Sequence, residues 1–234
     1  MFLYNWGTWL LYALPGLLLA LWAQQKVRAA FNKYSQIPTR RGLTGQQVAR
    51  QLLDQNGLYD VAIEQVKGNL GDHYDPRHKV LRLSPSVYGQ ATVAAAGIAA
   101  HETGHAIQDK EKYAALMART AFVPAANFSS RLSSIILSVG LLLLFFARSE
   151  FAYYIFGFGI VLFALSVIFS LITLPVEFNA SKRAKAQLVD TFLLDKDEME
   201  GVNKVLDAAA LTYVAAAVTA IGQLLFYLSI LNRR

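Results

Sequence analysis

Residues 101–105, His101-Glu102-Thr103-Gly104-His105, set two imidazoles one helical turn apart with a carboxylate between them. On an α-helix, residues four apart share a face. His101 and His105 can therefore each offer a ring nitrogen to one Zn²⁺ while Glu102 stands beside the open coordination position. There Glu102 would polarise a metal-bound water. The plainer reading is an amphipathic helix whose histidines pack or cap. The flanking residues favour the metal: Thr92-Val93-Ala94-Ala95-Ala96-Gly97-Ile98-Ala99-Ala100 runs small and apolar into the motif, and Ala106-Ile107 continues it. Two imidazoles and a carboxylate inside such a buried helix need partners, because burying polar groups unpaired is costly.

A zinc site of this type needs a third protein ligand, and the chain has no cysteine to give. Asp109 shares the face of His105 but lies roughly 12 Å along the axis from His101 at about 1.5 Å per residue. That is too far for one tetrahedral ion with bonds near 2 Å. Glu111 falls where a metzincin pattern puts its last ligand, yet Gln108 stands in place of the glycine that pattern needs; it is a runner-up. Glu177 is the better candidate, in Leu174-Pro175-Val176-Glu177-Phe178-Asn179-Ala180-Ser181. Pro175 can start a helix there and Ser181 follows Glu177 by one turn on the same face. A Glu on a second helix is the gluzincin arrangement. The competing reading of Glu177 is a first-turn carboxylate that favours its helix dipole.

The elements that must position these groups belong to a membrane protein. The 234 residues are 55% hydrophobic and 16% charged, with a mean hydropathy of +0.35. Residues 6–23 carry no charge and can cross a hydrocarbon core of about 30 Å. They lack the basic start and small-residue cleavage site of a signal peptide. Residues 132–147 and 151–174 form a helical hairpin about Arg148-Ser149-Glu150, and the alanine-rich residues 208–231 form a fourth apolar helix whose small residues suit close packing. The expected organisation is a first transmembrane helix (1–23), a catalytic segment (24–131), a transmembrane hairpin (132–174), a third-ligand helix with its connector (175–207) and a C-terminal apolar helix (208–234). The fold class is a mainly α integral membrane protein, with about four transmembrane helices and a gluzincin-like zinc protease domain.

Four spans put residues 24–131 and 175–207 on one side of the membrane, so His101, His105 and Glu177 can meet without a polar group crossing it. Lys26, Arg28, Lys33, Arg40 and Arg41 follow the first span and Lys182, Arg183 and Lys185 follow the third; the opposite side holds Arg148, Arg233 and Arg234. The positive-inside rule places the site in the cytoplasm, counted from the residues near the span ends. The net charge of +6 belongs to this membrane-facing belt. No aromatic-basic motif points to nucleic acid.

In the first loop, Thr44 and Gln47 make a capping box for a short amphipathic helix bearing Val48, Leu52 and Leu53 and ending at Asn56-Gly57. Residues 59–66 and 79–83 read as strands of a small sheet or hairpin, with Gly68-Asn69 and Gly71-Asp72 as turn signals between them. An unpaired edge strand beside the metal would pair with a substrate backbone, and residues 79–83 are the candidate. The alternative is a strand that only covers the core. Residues 110–130, with Pro124, are expected to lie along the membrane surface before the second span.

Asp72-His73-Tyr74-Asp75-Pro76, Leu81-Arg82-Leu83-Ser84-Pro85-Ser86-Val87-Tyr88, residues 99–108 around the histidine motif, and residues 174–181 closely resemble the YugP-like family of bacterial membrane zinc metallopeptidases. The resemblance covers most of the chain. That family is similar in metal-site logic to the HtpX and CAAX prenyl protease group, whose third ligand is a Glu at the start of a helix. By resemblance, His101, His105 and Glu177 hold one Zn²⁺, Glu102 is the base and the reaction is peptide-bond hydrolysis in the bacterial cell membrane. One departure stands out: the related pattern carries an Asp four residues after the third ligand, where this chain has Ser181. The carboxylate that orients a metal-binding histidine would then be replaced by Asp72, Asp75 or a backbone carbonyl. For the oxyanion donor the candidates are His73 and then Arg183, against the plainer readings of a loop tie and a lipid-phosphate contact. His78 reads as a surface residue.

Two functions compete. The first is an endopeptidase acting on membrane-associated polypeptides, with the bilayer and the polypeptide as its partners. The second is a non-catalytic scaffold in which zinc staples the long loop to the helix after the third span. A structural site has no need of Glu102 and fills four positions with protein ligands; only three good ligands are found here, which favours catalysis. A transporter is disfavoured because no charge sits at the centre of a proposed span.

Overall fold

The computed structural model describes residues 2–68, 71–147 and 149–232, with side chains from Gly7 onward. Asn69 of the predicted turn and the far-side arginines Arg148, Arg233 and Arg234 lie outside them. The protein is mostly helical: α1 (Phe2–Tyr34), α2 (Gly45–Gln55), β1 (Ala62–Gln65), β2 (His73–Asp75), β3 (Val80–Leu83), α3 (Pro85–Tyr88), α4 (Val93–Lys110), α5 (Ala114–Phe146), α6 (Glu150–Asp190) and α7 (Lys196–Leu231). Among the described residues, α1, α5, α6 and α7 are long and apolar enough to cross a membrane.

The chain divides into two compact units. The first comprises Met1–Trp22, Ala118–Leu174 and Tyr213–Arg234. It exposes Leu11, Leu18, Leu142, Phe146, Phe151 and Val161, the surface expected of helices solvated by lipid rather than water. Inside it, Leu137, Phe156 and Ile160 pack with Phe163, Leu224 and Tyr227. Gly140 lets α5 and α6 touch, since a Cβ there would lie 2.8 Å from the Phe156 Cα.

The second unit, Ala23–Met117 with Pro175–Thr212, carries every candidate site residue. Its centre is α4. Thr92 caps that helix by accepting the Ala95 N–H at 3.3 Å, as an N-cap threonine does. The small residues of α4 are explained by neighbours on two flanks: Ala95, Ala99 and Ala106 meet Leu53 of α2 and Leu81, Leu83 and Val87. Ala96 and Ala100 meet Leu52, Leu188 of α6 and Val202 and Leu206 of α7. Gly104 marks the closest approach. A Cβ on it would stand 2.7 Å from the carbonyl oxygen of Ala180 in α6, so the backbones of α4 and α6 meet there.

The capping box forms as expected, with Thr44 and Gln47 bonding each other's backbone at the start of α2. Several other expectations change. Pro175 does not start a helix but lies inside the 41-residue α6. Residues 110–130 are not a separate surface segment, because α5 runs through Pro124 without a break. A proline removes one donor and strains one turn, which a long helix in a low-dielectric environment tolerates better than a break that frees several backbone groups. The C-terminal helix begins at Lys196 rather than at 208.

The sheet has the order β1-β3-β2. β1 pairs with β3 in parallel (Ile63 opposite Leu81), and β2 pairs antiparallel (Tyr74 opposite Leu81). The hairpin is thus β2–β3, and residues 79–83 supply the central strand rather than an edge. Both sides of β3 are engaged in ladders, which removes it as a strand for substrate pairing. Asp72 accepts the N–H and hydroxyl of Ser84, and Asp75 accepts Arg82 Nη1 at 2.8 Å, so β2 is fastened to β3 on both sides of Tyr74.

Replacing Gly104 by Ala forces a methyl against the Ala180 carbonyl and is expected to cost about 1–3 kcal/mol. Thermal unfolding in detergent checks this, and an unchanged midpoint would show that the α4–α6 crossing can relax.

Candidate metal centre

Helices α4 and α6 bring together His101, His105 and Glu177, and among the described residues these three form the group able to hold a metal ion. One ligand atom from each lies within 4.8 Å of the others. His101 Nε2 stands 3.3 Å and His105 Nε2 3.6 Å from the same Glu177 oxygen, Oε2. The rings meet edge to face, with centroids 4.8 Å apart. Glu177 is only 2% exposed and His105 8%.

The far side of each ring is held as well. His101 Nδ1 bonds Ser181 Oγ at 3.1 Å, and His105 Nδ1 bonds Gln108 Oε1 at 3.0 Å. Gln108 is fully buried, and its amide nitrogen donates to the Val176 carbonyl and to Asn179 Oδ1, both at 2.9 Å. Those two acceptors fix which end of the amide faces His105. Its Oε1 must accept, so Nδ1 carries the proton and the Nε2 lone pair points at Glu177. Asn179 in turn accepts Arg183 Nε at 2.7 Å.

Two imidazole nitrogens and a carboxylate, their lone pairs converging, are a donor set that fits zinc. The field agrees. Burial alone would lower the His105 pKa, but the hydrogen bond that the protonated ring donates to Glu177 and the charges of Glu102 and Glu177 outweigh it and raise the pKa. The pocket therefore favours positive charge where the ring nitrogens meet.

Glu102 is also buried, 8% exposed, and does not belong to the group of three. Its Oε2 accepts the backbone N–H of Tyr74 in β2 at 3.1 Å, which leaves Oε1 for a proton.

Residues 9–232 match the family described as "Putative neutral zinc metallopeptidase". The chain belongs to that family. It is 48% identical over 217 residues to the "Putative membrane protease YugP" of Bacillus subtilis, with 92% of this chain and 93% of that one covered. No solved structure matches. The family name implies zinc, which the donor set accommodates, and a metallopeptidase of a membrane suits the four apolar helices.

Other candidates are placed elsewhere. Arg183 is tied to Glu111 Oε2 at 2.6 Å besides Asn179, so its guanidinium serves the α4–α6 packing, and Glu111, at the C-cap of α4, is the partner of Arg183 rather than a ligand. His73 is exposed and bonds the Gly71 carbonyl through Nδ1 at 2.8 Å. Asp72 and Asp75 reach neither histidine, being engaged by Ser84 and by Arg82 and His78; the orienting roles fall to Ser181 and Gln108 instead. His78 is a surface residue paired with Asp75. Asp109 accepts the Tyr74 phenol. Gln108 was legible from spacing, three residues after His105 on a buried face; Tyr74 had no local signal, because its contact with Glu102 depends on where the sheet packs.

Gln108→Leu removes the acceptor that orients His105 and is expected to weaken zinc binding about 10- to 100-fold, with Glu177→Ala losing more. Competition against a chromogenic chelator measures both. Wild-type affinity in Gln108→Leu would mean that the ring is held by other contacts, and full zinc content in Glu177→Ala would remove Glu177 from the ligand set.

Proposed function

We propose that the protein is a zinc endopeptidase of gluzincin type that hydrolyses peptide bonds of membrane or membrane-proximal proteins, with one Zn²⁺ held by His101, His105 and Glu177. The observation that carries this reading is the state of Glu102: buried, next to a ligand, outside the ligand group, with one oxygen fixed by Tyr74 N–H and the other unassigned. A metal serving only as a staple gives no reason to bury a fourth ionisable group beside it. Zinc, when bound, supplies a Lewis acid that polarises the scissile carbonyl and acidifies water.

The chain's own residues do the rest. Glu102 Oε1 takes a proton from the attacking water and delivers it to the leaving amine, within the range of about 10²- to 10⁴-fold that a positioned acid–base group contributes. β2 is the edge strand nearest the base, and Tyr74, opposite Leu81 with its N–H turned away from β3, directs its carbonyl outward too. An extended polypeptide can donate to that carbonyl while the N–H stays on Glu102. For the oxyanion, His73 remains the candidate and Arg183 does not. With Nδ1–H given to Gly71, His73 can donate from Nε2 only as the imidazolium. The partners are the bilayer and a polypeptide, and the basic residues in the last turns of α1, just after it and within α6 support a cytoplasmic site.

Glu102→Gln is expected to keep zinc and lose hydrolysis of casein or membrane peptides by about 10²-fold or more, measured beside wild type in detergent. Equal cleavage by both would remove Glu102 as base; zinc bound by both with no cleavage of a broad peptide library would favour the scaffold. Sidedness is checked separately with Arg41→Cys, the one thiol in an otherwise cysteine-free chain. An impermeant maleimide should label it only after cells are opened, and labelling of intact cells overturns the cytoplasmic placement.

A further inference from the structure

Tyr74 touches α4 at two points. Its backbone N–H donates to Glu102 Oε2 at 3.1 Å, and its phenolic O–H donates to Asp109 Oδ2 at 2.9 Å. Residues seven apart on a helix differ by only about 20° around the axis and by about 10 Å along it. One residue of β2 is therefore laid along the face of α4 that carries Glu102. Burial and the Asp109 carboxylate raise the pKa of the phenol well above its usual value, so it remains the donor throughout the working range of pH.

Nothing about the helix itself accounts for Asp109. It precedes Lys110, the last residue of α4, where a negative charge opposes the helix dipole. Its surroundings do not claim it either. It lines a cavity of about 340 Å³ with Asp60, Tyr74, Lys79 and Lys110, but Lys79 pairs with Asp60 at 2.9 Å and Lys110 donates to the Asn56 carbonyl. Among the described residues, the hydrogen bond made by the Asp109 side chain is the one from Tyr74. β2 is three residues long and has β3 on one side alone; Asp72 and Asp75 tie it to β3, and on its open side its seat over Glu102 depends on what Tyr74 grips.

We propose that Asp109 is a positioning residue that acts through Tyr74: it clamps the edge strand to α4, so that the Tyr74 N–H holds Oε2 of Glu102 and leaves Oε1 turned to the reacting water. This rests on Glu102 being the base. A side chain that merely stabilises the fold would act independently of Tyr74 and would not move kcat at unchanged zinc loading.

The test uses the full chain in detergent and compares wild type with Tyr74→Phe, Asp109→Ala, Asp109→Asn and the double variant Tyr74→Phe/Asp109→Ala. Measured are kcat and KM on casein-derived peptides, zinc content, and hydrogen exchange at the Tyr74 amide. Tyr74→Phe and Asp109→Ala are each expected to lower kcat about 10- to 100-fold, the range for a small misplacement of a catalytic group, with zinc retained and the Tyr74 amide exchanging faster. The double variant should lose no more than the worse single one. Asp109→Asn, whose amide oxygen can still accept the phenolic proton, should recover most of what Asp109→Ala loses. Multiplying losses in the double variant, or a Tyr74 amide as protected in Asp109→Ala as in wild type, overturns the clamp. A wild type that cleaves nothing sinks the peptidase reading instead, and amide exchange still decides whether Asp109 holds the strand.

Discussion

One buried carboxylate organises the site-bearing unit. Glu177 is almost wholly removed from solvent and sets a single oxygen within 3.6 Å of two imidazole nitrogens. A charge in that position is unfavourable unless something positive is shared with it. Neutral imidazoles presenting lone pairs cannot do so by themselves, whereas a metal ion satisfies all three groups at once. The surrounding chemistry follows from this demand. Ser181 and Gln108 take the outer nitrogens of the rings, so that the inner ones converge. The amide of Gln108 is itself locked by Val176 and Asn179.

Packing obeys the same constraint. For His101 and His105 to reach a glutamate on another helix, α4 and α6 must approach more closely than ordinary side chains allow. Gly104, inside the histidine motif, meets the Ala180 carbonyl directly, and alanines line the flanks of α4 toward both neighbouring layers. The alanine-rich sequence of α4 is thus the imprint of a helix enclosed on several sides. Arg183 and Glu111 close the same crossing from outside with an ion pair, a half-exposed contact that adds little stability by itself but keeps Asn179 facing Gln108.

What the sequence disclosed and what it hid divide along physical lines. The histidine motif, the capping box at Thr44 and the four apolar stretches depend on local spacing, and local spacing is visible in a chain. The juxtaposition of Glu177 with the histidines was anticipated from its context on a second helix. Pro175 misled, since the proline that starts many helices here lies within one already propagating from an apolar run, where ending the helix would strip backbone hydrogen bonds beside buried neighbours such as Val176 and Ala180. The strand order misled for a different reason. Residues 79–83 alternate more cleanly than 73–75, yet clean alternation reports burial of a face and says nothing about whether a strand is central or at the edge. β2, with three residues and the polar sequence His-Tyr-Asp, has too little pattern to be recognised.

The two halves of the site are therefore built to different standards of rigidity. The half able to hold a metal belongs to α4 and α6, whose backbones are in contact and whose ring-bonding groups Gln108 and Ser181 are buried. Glu102, the proposed base, is seated on α4 as well, but its carboxylate is held by a three-residue edge strand. Edge strands open at lower free energy than a packed core. A substrate that donates to the Tyr74 carbonyl on the open side of β2 would steady that strand and so hold the Tyr74 N–H against Glu102 more firmly than in the free protein. Binding energy gained along the polypeptide would then tighten the geometry of the proposed base, so a long substrate should gain in turnover as well as in affinity.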